Sequence, residues 1–166
     1  MGACCSNVPD REERNALAQA VGLKFALTGT RLCQVVDVID GDTITIKTMF
    51  AGGVAVIERL RLDGINAPEL HPPLSLELKT RERVIARAEE SKAELTRKLG
   101  GVGAFVYVVF SKQEKFGRAL GAVFVEHGEE RFERSVNQWM LEQRSQIEPQ
   151  RTLAVVYHGE KRGSDA

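Results

Sequence analysis

Side chains suited to phosphate and metal chemistry occur close together in the middle of the chain. Arg61, Asp63, Asn66 and Glu69 fall within nine residues, and the short turn signal Asp40-Gly-Asp-Thr43 precedes them. An arginine grips a phosphate through a planar fork of donors, while carboxylate and amide oxygens coordinate metal ions. This combination of residue types predicts phosphoryl chemistry.

The segments around these residues have the alternating pattern of β-strands. Residues 35–39 and 43–49 flank Asp40-Gly41, which is a strong hairpin signal, and residues 54–62 follow as a third strand. Three antiparallel strands in sequence form a meander, so the end of the third strand lies beside the first turn. We therefore expect residues 61–69 to lie next to Asp42.

The second half of the chain predicts two helices and two further strands. The first helix carries apolar residues at helical spacing and stops at Gly100-Gly101, and the second begins at the capping box Ser135 to Gln138, with Trp139 in the core. The predicted segments are a helix over 80–99, a strand over 104–110, a charged loop over 111–117, a strand over 119–126, a helix after Ser135 and a short strand within 152–157.

This order of elements predicts an α+β, mainly β fold: a five-stranded OB-fold barrel with two packed helices. A chain of 166 residues with 43% apolar and 28% charged residues suits one globular domain plus tails. We expect an N-terminal lipidation motif and helical or flexible arm over residues 1–30, the barrel domain over 31–158, and a polar tail over 159–166.

Charge and cysteine content exclude several classes of protein. Lys+Arg and Asp+Glu balance at 23 each, so a surface that binds a polyanion must owe its positive charge to local clustering. Three cysteines without a CxxC pair, together with three scattered histidines, give no disulfide framework and no zinc site. No apolar run approaches the length needed to cross a bilayer. The compartment is predicted to be reducing.

The first six residues, Met1-Gly-Ala-Cys-Cys-Ser6, fit the pattern for N-terminal acylation. Gly2 would carry a myristoyl chain after removal of Met1, and Cys4 and Cys5 are candidates for palmitoylation. Two acyl chains anchor a protein stably, whereas one holds it weakly. The motif predicts attachment to the cytoplasmic side of a membrane. The alternative is a chance hexapeptide on a cytoplasmic protein.

Four segments in order resemble the signatures of the staphylococcal nuclease (thermonuclease) family. The resemblance covers about residues 33–158 and implies a calcium-dependent phosphodiesterase on an OB-fold. Such enzymes cleave DNA and RNA with low sequence specificity and favour single strands; we expect this protein to act as a monomer. The matching segments are Asp40-Gly-Asp-Thr43, residues 61–69 with their Ala67-Pro68-Glu69 ending, Lys115-Phe-Gly-Arg-Ala-Leu-Gly121 and Ser135-Val-Asn-Gln-Trp-Met140.

The resemblance also implies the catalytic residues. Arg61 matches the family arginine on the third strand, and Arg118 matches the one before the fifth; both would bind the phosphate. Glu69 matches the acid that acts as general base or orients the attacking water. Without the resemblance, two surface arginines and a loop carboxylate would be the simpler interpretation.

The implied metal ligands contain one departure from the family pattern. Asp42 matches the first calcium carboxylate, with the Ala67 carbonyl and Thr43 as lesser oxygen donors. Asn66 stands where the family has an aspartate, so one ligand charge is lost and calcium binding should be weaker. We assign Asp40 mainly to the turn, because Asp-Gly favours a hairpin by itself. Asp63 is expected to lend charge to the site or, more simply, to pair with Arg61.

Substrate contacts are expected outside the catalytic group as well. Lys115 is a candidate phosphate contact, Phe116 stands where the family often has tyrosine and could stack on a base, and Tyr157 could supply a hydroxyl. The alternative function is an OB-type module with weakened catalysis, which binds single-stranded nucleic acid or a protein partner.

Overall fold

The computed structural model describes residues 27–49, 54–113, 118–126, 128 and 131–157. Several of the predicted features lie outside these residues. They are the acylation residues Gly2, Cys4 and Cys5, almost all of the arm predicted over 1–30, the substrate contacts Lys115 and Phe116, and the tail over 159–166.

The first three strands form the predicted antiparallel meander. β1 (Gly29–Asp40), β2 (Thr43–Met49) and β3 (Ala55–Leu62) pair in sequence, with Asp40 opposite Thr43 and Thr43 opposite Arg61. β1 begins earlier than residues 35–39 because its first half pairs with a later strand. The end of β3 thus lies beside the β1–β2 turn, as expected.

Two later strands close the barrel, which confirms the predicted OB-like fold class. β5 (Phe105–Gln113) pairs with the first half of β1, and β6 (Ala119–Phe124) joins β5 to β3, so the order around the barrel is β1-β2-β3-β6-β5. The β3–β6 pair is parallel, whereas the other pairs of the barrel are antiparallel. Inward side chains fill the barrel, among them Val35, Ile44, Ile46, Leu60, Leu62, Val106, Val108 and Val123.

The loop predicted over residues 111–117 is wrong at its beginning, because β5 continues through Gln113. Past an irregularity in the ladder, Gln113 pairs with Ala119. The Ser111 hydroxyl donates a hydrogen bond to Asp63 Oδ2 at 2.7 Å. Polar residues can extend a strand when their backbone and side chains form hydrogen bonds with a neighbouring strand. Residues 111–113 were predicted as loop because the segment is polar and charged.

Two helices pack against the barrel and end or begin as predicted. α1 (Leu78–Leu99) buries Ala88, Ser91, Leu95 and Leu99, and it ends where Gly100 adopts a left-handed conformation. α2 (Val136–Glu142) begins at Ser135, whose Oγ accepts a hydrogen bond from the Gln138 N–H at 3.1 Å. A short 3₁₀ helix, Phe132–Arg134, precedes it.

Trp139 is half-buried against the core, with Arg97 and Lys98 over its ring at 5.7 and 5.4 Å. The Trp139 ring therefore lies between the two helices. It is covered partly by cationic side chains, so it is less deeply buried than predicted for a core residue.

A second, small sheet stands beside the barrel. β4 (Ile65–Asn66) pairs with β7 (Val155–Val156), so the predicted strand near the C-terminus is short and holds the segment that follows β3. In the part of the chain that the structure describes, no helix is long and apolar enough to cross a membrane.

Candidate functional site

A cleft of about 380 Å³ opens at the end of the barrel where β1 meets β2. The catalytic and metal-binding residues predicted from the sequence all line it: Asp42, Arg61, Asn66, Ala67, Glu69 and Arg118. They come from the β1–β2 turn, the end of β3, β4 and the segment after it, and the residue before β6. The fold thus brings together side chains that lie up to 76 positions apart in the sequence.

The β1–β2 turn is held by Asp40 and needs a residue without a side chain at position 41. Asp40 Oδ1 accepts a hydrogen bond from the Asp42 N–H at 3.1 Å, which agrees with the turn role predicted for Asp40. Gly41 does not have a positive φ. Instead, a Cβ at this position would lie 2.1 Å from Ser91 Oγ and 2.7 Å from the Ala67 Cβ. Gly41 is required by close packing, since α1 and the segment after β4 both touch the turn.

Asp42 is a buried carboxylate, only 3% exposed. Its Oδ1 accepts a hydrogen bond from the Thr43 hydroxyl at 2.8 Å, and its Oδ2 accepts one from the Ala67 N–H at 3.0 Å. Burial raises the pKa of Asp42 to about 6, although the Ala67 N–H and the Arg61 charge act in the opposite direction. The site therefore holds an anion that is poorly solvated and attracts a cation.

Arg61 places its guanidinium between the two predicted metal ligands. Nη1 donates to Asp42 Oδ1 at 3.1 Å, and Nη2 donates to Asn66 Oδ1 at 2.7 Å. Nη2 also forms an ion pair with Asp42 Oδ2 at 3.1 Å. The Tyr157 ring lies below this guanidinium, 5.4 Å from its central carbon. Tyr157 thus contacts a cleft residue through its ring but is not among the residues that line the cleft.

Glu69 and Arg118 complete the cleft from two other directions. Glu69 is exposed and follows Pro68, while the preceding Ala67 is fixed to Asp42 and Asn66 belongs to β4. Arg118 directly precedes Ala119, which pairs with Leu60 across the parallel β3–β6 seam. In this parallel register Arg118 lies beside the second half of β3, and it lines the same cleft as Arg61.

The oxygen donors of the cleft are of the type that calcium prefers, but they carry little charge. Asp42 supplies a carboxylate, Asn66 an amide oxygen and Ala67 a carbonyl. Within the described residues, no group of three or more His, Cys, Asp or Glu side chains could hold a metal ion. Arg61 also bonds to oxygens of Asp42 and Asn66. Asp42, Asn66 and the Ala67 carbonyl are therefore candidate ligands for one calcium ion, and Arg61 would have to turn away from Asp42 for an ion to bind there.

Asp63 lies at the end of β3 but its carboxylate bonds to β5. Asp63 Oδ2 accepts from Ser111, and the Asp63 N–H donates to the Gly121 carbonyl at 2.9 Å. These contacts tie the turn after β3 to the β5–β6 pair, so they give Asp63 a structural role that the sequence did not indicate.

Two further residues contribute to the site without having been singled out. Asn137, fully buried, donates to the Asp63 and Gly121 carbonyls and accepts from the Val123 N–H, so it locks α2 to the end of β3. His71 lines the cleft two residues after Glu69. Asn137 lies in the Ser135 to Met140 segment. Its amide among the apolar residues of the predicted helix was the sequence feature that could have identified it.

No protein-family model matches this chain, and the search of curated proteins also found no match. What the fold and cleft define is therefore a class: a closed five-stranded OB-like barrel of mixed α and β structure with an arginine and carboxylate cleft at one end.

Proposed function

We propose that the protein is a metal-dependent nuclease that hydrolyses phosphodiester bonds in DNA and RNA. The observation that carries this proposal is the cleft itself, in which two arginines, an exposed carboxylate and a buried carboxylate converge from separate elements. Phosphodiester hydrolysis needs a cation, donors for the phosphate oxygens and a group that activates water. The cleft contains a candidate for each.

Arg61 and Arg118 would bind the two non-bridging oxygens of the scissile phosphate. Both guanidinium groups present planar pairs of donors, and their charge stabilises the extra negative charge of the transition state. Arg118 would also neutralise the leaving oxygen. Because arginines contact the phosphate backbone and carry no base information, this arrangement favours low sequence specificity.

Glu69 would orient and deprotonate the attacking water. Its carboxylate is exposed at the mouth of the cleft, and the Pro68 ring and the Ala67 to Asp42 hydrogen bond fix the backbone beneath it. A general base needs such a defined position within hydrogen-bond reach of the water.

Asp42, Asn66 and the Ala67 carbonyl would hold calcium, which would supply positive charge against the phosphate. For this chain, Arg61 must release Asp42 before it can bind a phosphate with both nitrogens. Binding of the substrate is therefore coupled to opening of the Arg61 to Asp42 contact.

The proposal includes the setting in the cell. Acylation of Gly2, with palmitoylation of Cys4 and Cys5, would hold a monomeric nuclease on the cytoplasmic side of a membrane. Single-stranded substrates are favoured, because an open cleft between arginines accepts a flexible backbone. Lys115, Phe116 and Tyr157 would extend the contacts with the substrate.

One observation favours a second candidate function. Arg61 is bonded to both Asp42 and Asn66, so its charge already neutralises the buried carboxylate without a metal ion. A cleft in that state suits a binding module for single-stranded nucleic acid, in which Asn66 has weakened catalysis.

The deciding experiment measures cleavage of a labelled single-stranded DNA while calcium is titrated to millimolar concentration. We expect cleavage that a chelator abolishes. Glu69→Gln and Arg118→Ala should each lower the rate by about a hundredfold or more, because each removes an acid-base or charge-stabilising group.

Glu126→Gln, which changes an exposed carboxylate outside the group of cleft-lining residues, is the matched control and should cleave like wild type. Binding of the DNA without cleavage by the wild type would support the binding module instead. A wild-type rate in Glu69→Gln would show that another group activates the water.

A further inference from the structure

The outer face of the barrel carries two adjacent rows of side chains that cross four strands. Pairing of Phe105 with Gln34, Gln34 with Lys47 and Lys47 with Ile57 forms the first row. The second row, one step of two residues along each strand, contains Tyr107, Leu32, Met49 and Ala55. Residues two apart on a strand share a face, so these eight side chains form one surface, here called the outer face.

The outer face is apolar and open to solvent. Leu32, Met49, Ile57 and Phe105 are 51%, 55%, 62% and 62% exposed. Lys47 is the one charged residue of the eight, and Arg31 lies at the edge, where its Nη1 donates to the Met49 carbonyl at 3.2 Å. Contiguous exposed apolar side chains on a soluble barrel mark a surface that is covered in use.

The position of the outer face relates it to the N-terminus and to the cleft. Leu32 lies near the beginning of β1, where the chain enters from the segment with the acylation motif, whereas the cleft lies at the other end of β1, after Asp40. Leu32 and Asp40 are eight positions apart on β1, a distance of about 26 Å along an extended strand. The described part of the chain therefore enters β1 at the end of the barrel that carries the outer face.

We propose that the outer face docks on an anionic lipid surface, with its apolar side chains in the headgroup region and Lys47 and Arg31 against the acidic headgroups. Apolar and basic residues together suit an interfacial position. One charged residue in eight is too few for a nucleic-acid surface, which depends on many cations. Eight residues are also well below the roughly 20–30 per partner of a stable protein interface.

Docking in this way involves none of the residues that line the cleft. The inference rests on the acylation part of the proposed function for its place in the cell, but not on nuclease activity. Its test therefore supplies the attachment artificially and does not measure cleavage.

The test uses the full chain with Cys4→Ser and Cys5→Ser, tethered through an N-terminal histidine tag to vesicles of phosphatidylcholine, phosphatidylserine and a nickel-chelating lipid. Ile57→Cys carries an environment-sensitive nitrobenzoxadiazole dye, while Cys33 is buried and does not compete for it. We expect a blue shift, at least a roughly twofold rise in emission and quenching by a lipid-borne nitroxide. Leu74→Cys, at a residue 82% exposed outside the outer face, is the matched control and should show none of these changes.

Adding Leu32→Ser and Phe105→Ser to the Ile57→Cys protein should abolish the response, since both remove apolar area from the outer face. An unchanged spectrum at position 57 on vesicles overturns the proposal, as does an equal change at position 74. A blue shift already present in solution, or one that grows with protein density on the vesicle, overturns it in favour of the N-terminal arm or a second copy as the occupant.

Discussion

At the scale of single residues, the chemistry available in the cleft depends on which groups the Arg61 guanidinium contacts. Arg61 contacts the carboxylate of Asp42 and the amide oxygen of Asn66 and also lies over Tyr157. A carboxylate as buried as Asp42 gains from such a neighbour, because leaving it unpaired would be costly. The same contact must open before Arg61 can grip a phosphate.

Asp42 makes a specific contribution to how stability depends on pH. Its pKa is about 6 in the folded protein and near 3.8 when unfolded, so the stabilisation linked to its proton is complete below pH 3.8 and lost as pH rises through 6. The difference corresponds to about 3 kcal/mol. Denaturant unfolding without calcium, measured from pH 4 to 7, should show wild type losing stability relative to Asp42→Asn by up to that amount.

Because other carboxylates titrate in the same range, the difference between the two proteins is the quantity to compare. If the free energies of unfolding of the two proteins change in parallel with pH, the hydrogen-bond donors around Asp42 offset the effect of burial on its pKa. If wild type instead gains stability relative to Asp42→Asn as pH rises, those donors lower the pKa of Asp42 by more than burial raises it.

Asn66→Asp should strengthen calcium binding by about tenfold, because a second carboxylate adds a negative charge among the oxygen ligands. Titration calorimetry measures this directly and does not depend on turnover. Gln150→Glu adds the same charge at an exposed residue outside the cleft-lining group and should leave the affinity unchanged. Equal affinity in Asn66→Asp and wild type would remove position 66 from the metal site.

At the scale of elements, the site is assembled where the β1–β2 turn touches α1 and the segment after β4. Gly41 lies against Ser91 of α1 and against Ala67, and Ser91 itself donates to the Leu153 carbonyl at 3.0 Å. The Ala67 N–H in turn holds Asp42. The helix thus positions the β1–β2 turn through packing, and it supplies none of the proposed metal ligands.

Gly41→Ala should destabilise the protein by at least about 2 kcal/mol, because a Cβ there overlaps groups that cannot move easily. Chemical denaturation gives the free energy of unfolding. The double variant Gly41→Ala with Ser91→Gly should cost less than the sum of the two single changes. Simple additivity would show that α1 does not press on the turn.

At the scale of the whole molecule, the closure of the barrel decides which distant residues meet. The parallel pairing of β3 with β6 brings Arg118 beside the second half of β3, and the β4–β7 sheet fixes the segment that leads to Glu69. The cleft lies at one end of β1 and the outer face at the other. The proposed acylation would hold the protein at the N-terminal end of the chain.

Gly2→Ala should move the protein from the membrane fraction to the supernatant when cells are fractionated, since without an amino-terminal glycine no myristoyl chain is attached. Ala3→Ser keeps Gly2 and should remain in the membrane fraction. Membrane association of Gly2→Ala equal to wild type would count against the anchor.

The sequence predicted most of the fold, because strands, helices and their caps leave local signals. Alternation over residues 43–49, the glycines after Leu99 and the Ser135 cap each corresponded to an observed element. The beginning of β1 and the end of β5 were missed, since residues 29–34 and 111–113 become strands through pairing with distant partners. Hydrophobic pattern carries no information about such partners when the residues are polar.

By itself, the sequence determined the residue types of the cleft, the turn at Asp40 and the meander that brings Arg61 to Asp42. Only the tertiary structure decided that Arg61 bonds to both Asp42 and Asn66, while the Asp63 carboxylate bonds to Ser111 on β5. It also decided that Gly41 is needed for packing against Ser91 and Ala67. The physical reason is the same in each case: a charged or small side chain takes the partner that lies within a few ångströms, and that partner is set by pairing across the barrel rather than by position along the chain.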